Sequence, residues 1–284
     1  MLTSLHISSY AGNMFDQQAT EEFNESNNAD RKRAGRYNKK LIDPKFLSGV
    51  SAAHNNARRL HRLLTLPWDD DGTRILTTAG YLPYTEKMHD CRLKAEDEVK
   101  QFISTLPDAV KEAKQRLGEL FNEDDYPTND VLKSKFGFDV EIKPVPESGD
   151  FRAQLSDAQV KAIVKDIERR ADQRLEKAVD DIFNRVKEAV AHLSERLKAY
   201  VPAKNGEKAQ GRIHDTTVYN IHELAEMLPI LNITNDPRID QLRQQLTDEL
   251  VEHSPEILRA DTKIRQQTIS KADAILKKVQ KYMK

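Results

Sequence analysis

The chain has 284 residues, 38% apolar and 32% charged, with only 10 glycines and 11 prolines. This balance suits long exposed helices and disfavours a turn-rich all-β fold. The formal net charge of −1 excludes a globally basic or acidic molecule, so preference for an anionic partner has to come from local charge.

In chain order, Leu2, Ser4, His6 and Ser8 alternate imperfectly with Leu5 and Ile7 and predict a short first strand. Residues 17–28 are polar and Asn-rich, either a solvated helix or a mobile arm. A helix is predicted from Asp43, a good N-cap followed by Pro44 at the first helical position. Leu47, Val50, Ala53, Ala57, Leu60 and Leu64 form its apolar side, and Ser51, Asn55, Arg58, Arg59 and Arg62 its other side. After a turn at Pro67–Gly72, Thr73–Ala79 reads as a strand. A charged helix runs from Pro83 to Thr105, and Pro107 separates it from a second helix ending near Phe121. Glu123–Asp125 is a loop, Val131–Phe136 a helical turn, and Phe138–Ile142 a strand ended by Pro144 and Pro146.

The longest element opens at Ser156 with the form of a capping box, Ser156-Asp157-Ala158-Gln159. Its apolar stripe runs Val160, Ile163, Ile167, Ala171, Leu175, Ala178, Ile182, Val186, Ala189, Leu193, Leu197: ten steps over 37 residues, a mean of 3.7. A left-handed coiled coil would give about 3.5, so a nearly straight helix is expected over about 156–201. Pro202–Gly211 is a polar linker, followed by helices over His214–Leu228, Pro237–Glu252 and Pro255–Met283. The fold class is therefore mainly α with a small β element: a long central helix plus shorter packed helices. Composition divides the chain into a polar, acidic N-terminal arm (1–30), a basic helical region with short strands (31–150), and the long helix with the C-terminal helices (151–284). A stripe sustained over such a length needs cover along all of it. The later helices are broken by prolines, so a homo-oligomer is expected, with Ile182 and Val186 in its interface.

Between Asp16 and Asp30 there are five acids and no Lys or Arg, whereas between Arg31 and Arg62 there are ten bases and one acid, Asp43. Phosphate binding needs clustered cations, and single strands also need aromatic faces on which bases stack. Arg31, Lys32, Arg33, Arg36, Lys39, Lys40, Lys45, Arg58, Arg59 and Arg62 supply the cations, and Tyr37 and Phe46 the aromatic faces. Trp68 and Tyr81 lie close in sequence. The bland alternative is a solvated basic face, or one paired with the acids upstream. The C-terminal helix is basic as well (Arg259, Lys263, Arg265, Lys271, Lys277, Lys278, Lys281, Lys284); the helix dipole accounts for its last turn, and a second nucleic-acid contact is the alternative.

Catalytic motifs are weak. Asp130 with Glu141-Ile142-Lys143 is the sparse outline of a metal-dependent nuclease, a pattern common by chance. Asp69-Asp70-Asp71-Gly72 lacks calcium-loop spacing. His89 and Cys91, two apart, do not face each other on a helix. No Walker loop, dinucleotide fingerprint or paired-histidine metal motif is present, so neither an enzyme nor a cofactor is expected. One cysteine, Cys91, excludes an internal disulfide, and a reducing cytoplasm is the simpler compartment. The first residues show no signal peptide, and no apolar run reaches the roughly 18 residues of a membrane helix.

In size, in the basic-aromatic block from Arg31 to Arg62 and in its helix-rich remainder, the chain resembles the Drc-like single-stranded-DNA-binding RNA polymerase cofactors of lytic podoviruses. That resemblance implies a fold unlike the oligonucleotide-binding barrel. It also implies single-stranded DNA and a phage RNA polymerase as partners at melted promoters, and residence in the host cytoplasm. The competing expectation is a helical scaffold or adaptor whose basic segment meets an acidic protein.

Overall fold

The computed structural model describes residues 1–145, 157–203 and 208–283. It is mainly helical with a small sheet and a long central helix, and no barrel closes among the described residues. The chain forms two compact units: one from Met1–Ser4, Arg62–Tyr84 and Ile142–Lys284, the other from Leu5–His61 and Thr85–Glu141. Of the three consecutive segments expected from composition, 1–30 and 31–150 each divide between the units, whereas 151–284 lies wholly in the first. Each unit has its own apolar core.

In the first unit, strands β4 (Leu66–Pro67) and β5 (Arg74–Ile75) pair antiparallel, and β5 pairs with the start of β1 (Leu2–Ser8) through Leu2 and Thr3. The strand expected over Thr73–Ala79 shrinks to two residues. Its continuation turns at once into a helix, with the Thr77 hydroxyl accepting from the Gly80 amide and the Thr78 carbonyl from the Tyr81 amide. The long helix α5 (Asp157–Ala199) extends about 65 Å at 1.5 Å per residue. Its expected cap, Ser156, lies outside the described residues, as do Pro146, Lys204–Glu207 of the linker and Lys284.

From Ala178 to Leu197 the α5 stripe is buried against α6 (Asp215–Leu231), α7 (Pro237–Gln245) and α9 (Thr262–Tyr282). Ile182 and Val186 are fully buried there within one chain, which corrects their expected place between subunits. Pro229 does not end α6, because Leu228 and Leu231 on either side are held in the core. The single helix expected over Pro255–Met283 breaks into α8 (Pro255–Ala260) and α9. Asp261, extended, caps α9 by accepting from the Lys263 and Ile264 amides. The buried Arg265 donates back to the carbonyls of Leu258 and Arg259, satisfying the end of α8.

The second unit is built on α3, which runs Tyr81–Leu117 and whose first turn belongs to the other unit. Pro107 sits inside α3 instead of dividing it. A proline in a helix interior costs about 3 kcal/mol, and burial of Phe102 and Ala109 on either side in one core offsets that. Helix α2 (Ser48–Leu63) follows a 3-10 turn at Pro44–Leu47 capped by Asp43, and its apolar and polar sides are those read from the sequence. It lies antiparallel to α3: Gly49 is packed on Glu98 and Asn56 beside Cys91. A short helix α4 (Asn129–Ser134) leads into β6 (Gly137–Lys143), beside β1 in the sheet. The N-terminal stretch is not a loose arm. Asp16 caps helix α1 (Gln17–Ser26), and strands β2 (Asn13–Phe15) and β3 (Asn38–Lys40) pair antiparallel around it.

Among the described residues no helix is long and apolar enough to cross a membrane.

Candidate nucleic-acid interface

The acids of α1 support the basic segment instead of merely preceding it. Buried Asn24 donates to the carbonyls of Arg31 and Gly35, and the Thr20 hydroxyl accepts from the Tyr37 amide. Asp30 accepts from the amides of Lys32 and Arg33 and fixes the turn that presents them, both exposed. Arg31 is paired at 2.6 Å with Glu21 and 3.1 Å with Glu25, so its charge is largely spent within the fold. Hydrogen bonds from Gln17 and from Arg31, opposed by some burial, hold Glu21 below its ordinary pKa.

Paired residues of a two-stranded ribbon share a face, and successive residues alternate. Asn13 lies opposite Lys40 and Phe15 opposite Asn38, so these four share one face. Arg36, two residues before Asn38, carries its guanidinium carbon 4.5 Å above the centre of the Phe15 ring. Phe15 is 37% exposed, Tyr37 38% and Phe23, on α1, 63%. The ribbon thus offers an exposed aromatic ring, a stacked guanidinium and a lysine in one row, with Tyr37 on its other side.

Lys39 alternates to the other face of the ribbon, opposite Met14. It is 6% exposed and its ammonium meets Asp125 at 2.6 Å, Asp16 at 3.1 Å and the Leu120 carbonyl at 3.1 Å. Burial opposes its charge, but the two carboxylates outweigh burial and raise its pKa. It is a structural cation, not a phosphate contact. Phe46 packs half-buried against the second core with the Lys45 ammonium 5.1 Å from its ring centre, and Lys45 pairs with Glu112 at 2.6 Å. Neither presents a free stacking face or a free charge.

The rest of the block, apart from Arg62, which belongs to the first unit, lies elsewhere on the second. Arg58 and Arg59 are exposed on α2, and Arg62 is exposed in its last turn. The Arg58 guanidinium donates to Asn55. Lys39 sits beside Leu120 and Lys45 beside Glu112, whereas Asn56 sits beside Cys91. From Cys91 to Leu117 α3 rises about 40 Å. Ten bases adjacent in sequence are therefore laid out along a helix as two groups, not one patch. Phe15 and Phe23 were not among the residues expected from sequence. Phe15 meets the basic segment only through strand pairing across the whole of α1, a contact with no local signal.

Other expected features find no added support. Asp130 projects into solvent, with Lys133 3.8 Å away. Among the described residues no group of three His, Cys, Asp or Glu side chains could hold a metal ion. On the C-terminal helices Arg265 is buried, Arg259 pairs with Asp215, and Lys278 donates to Gln245. No family model, curated protein or solved structure matches the chain.

Proposed function

We propose that the chain binds single-stranded nucleic acid through the ribbon of β2 and β3 and does no chemistry on it. What carries this reading is the row formed by exposed Phe15, Arg36 stacked on it, and Lys40, with Lys32 and Arg33 on the adjoining turn. Aromatic rings take bases of any sequence, and stacking contributes about 1–3 kcal/mol per base. Arg58 and Arg59, in the separate group on α2, offer a second set of phosphate contacts. In the setting that the resemblance to the podovirus cofactors implies, the ligand is melted promoter DNA and the recruited partner a phage RNA polymerase.

Anisotropy titrations with labelled single- and double-stranded DNA and RNA at two salt concentrations test this. Binding should favour single strands and fall by about 0.7 log units per log unit of salt for each phosphate neutralised. Phe15→Ala and the pair Arg36→Ala, Lys40→Ala should weaken it with the fold intact, and so should charge reversal of Arg58, Arg59 and Arg62. Tyr37→Ala should cost about 1–3 kcal/mol of binding if a base stacks there too. No binding to any oligonucleotide at low salt would overturn the reading.

A second reading, assembly into a homo-oligomeric scaffold, has its own support. Val160, Ile163, Val164 and Ile167 continue the α5 stripe, are half-buried and belong to neither apolar core. Light scattering should give a multiple of 32.5 kDa. Ile163→Asp with Ile167→Asp should reduce the mass to that of one chain; a parent of single-chain mass would remove this reading.

A further inference from the structure

The second unit contains a hollow of about 270 Å³ between α2, α3 and the α4–β6 turn, some 30 Å along α3 from the ribbon. Its walls are apolar: Ala95, Val99, Ile103, Phe136 and Phe138. Two exposed ammonium groups, Lys100 and Lys133, and one carboxylate, Glu96, also line it. Both rings are held in place, Phe136 edge-on to Phe102 at 6.0 Å and Phe138 beneath the Arg92 guanidinium at 5.9 Å. The buried His54 forms part of the wall.

We propose that this hollow is a nucleotide pocket: it takes one base between its aromatic and aliphatic walls and one phosphate on Lys100 and Lys133. The size limits the occupant. Small-molecule sites begin near about 300 Å³, and at about 30 Å³ per water this space equals roughly nine waters, enough for one planar ring. The chemistry limits it further, because an apolar slot with cations at its mouth fits a ring carrying an anion. Glu96 would repel a second phosphate but accepts a hydrogen bond from a base amino group, which makes cytosine the chosen probe. Burial, with the nearby Arg58 charge adding to it, pushes the His54 pKa down, so at neutral pH its ring offers one donor and one acceptor. A free nucleotide and a strand both supply such a base, and the probes below distinguish them. The strand version rests on the proposed function. At the roughly 3.4 Å phosphate spacing of a stacked strand, about nine nucleotides would join ribbon and pocket, so a twenty-mer would engage both and a four-mer only one.

The test uses the full chain with deoxycytidine monophosphate, deoxycytidine, and labelled four- and twenty-nucleotide oligo-deoxycytidine. Ile103→Trp fills the hollow; Lys100→Glu with Lys133→Glu reverses its mouth without touching the core; Arg36→Ala with Lys40→Ala alters only the ribbon. Thermal melting checks each fold, and the exposed lysine pair serves if the tryptophan variant does not fold. Both pocket variants should weaken the twenty-mer about tenfold or more and should abolish any monophosphate binding. Pocket variants that bind both ligands as the parent does, while the ribbon pair loses the strand, overturn the pocket and leave the proposed function standing. Monophosphate binding abolished by the pocket variants, with no oligonucleotide bound, supports a free-nucleotide site and overturns the proposed function. No binding of any of these probes overturns both.

Discussion

Replacing Lys39 by Met separates folding from binding in a segment where charge alone cannot. The Lys39 ammonium is shared by Asp16 and Asp125, whose side chains are 14% and 9% exposed, and by one carbonyl. Removing one member of a buried ion group costs about 3–5 kcal/mol, because the remaining charge is left in a poorly solvated place. Asp16 keeps its hydrogen bond from the Ala19 amide, and Met retains most of the alkyl packing, so about 3 kcal/mol is expected. That corresponds to a fall in thermal midpoint on the order of 10 °C. Lys40→Met, one residue on and exposed, should stay within about 0.5 kcal/mol of the parent but weaken oligonucleotide binding. Urea denaturation followed by circular dichroism, with anisotropy on the same samples, measures both. The native pKa of Lys39 is raised, so its contribution is complete below the unfolded value near 10.4 and is lost as pH rises through the native value. The Ala19 amide and then Lys39, against burial, lower the Asp16 pKa, so its contribution is complete above about 3.9 and lost as pH falls through the native value. The assignment is refuted if Lys39→Met is as stable as the parent, or weakens binding while stability is unchanged.

Glu21→Gln with Glu25→Gln should release Arg31 from its two partners and steepen the salt dependence of oligonucleotide binding by about 0.7 log units per log unit of salt; an unchanged slope would place Arg31 off the strand. Arg265→Met should destabilise the first unit by about 2–4 kcal/mol in chemical denaturation, because the carbonyls of Leu258 and Arg259 lose a charged donor inside the protein. Hydrogen bonds from Lys198 and Ser194 lower the Asp273 pKa. Asp273→Asn should therefore cost stability at pH 7, and the difference from the parent should shrink as the parent carboxylate protonates below about pH 3.9. Denaturation curves at the two pH values measure that difference.

Helices were legible wherever their period persisted. The α2 faces and the α5 stripe from Ala178 to Leu197 are buried and exposed as their spacing predicts, because one repeating side chain position decides both. Breaks were less legible. Pro107 and Pro229 lie within helices, since packing on both sides outweighs one missing amide, whereas Asp261 divides a segment whose periodicity runs on. At the ribbon, Lys39 and Lys40 are the same residue type side by side. Lys39 turns inward because its ammonium meets Asp16, Asp125 and the Leu120 carbonyl, two of them more than eighty residues on, and a three-residue strand is too short to show a period. The division of the basic block into two groups follows from the path of α2 along α3, which is a tertiary property.

The interleaving of the two units gives the chain an order of assembly during synthesis. The second unit needs nothing beyond Glu141, so all of it has left the ribosome before α5 begins to emerge. The first unit has Leu2, Leu66 and Ile75 waiting for partners on α5 to α9, the last of them at Val279. At roughly 5–20 residues per second, that wait is on the order of ten seconds. For that interval the nascent chain carries the second unit tethered to two short pieces of an unfinished core, Met1–Ser4 and Arg62–Tyr84. Within the first unit Arg74 and Arg185 both donate to the Thr65 carbonyl, and Arg185 also to that of Leu63. The separation of 122 between Leu63 and Arg185 sets how long this part of the first unit waits for its partner.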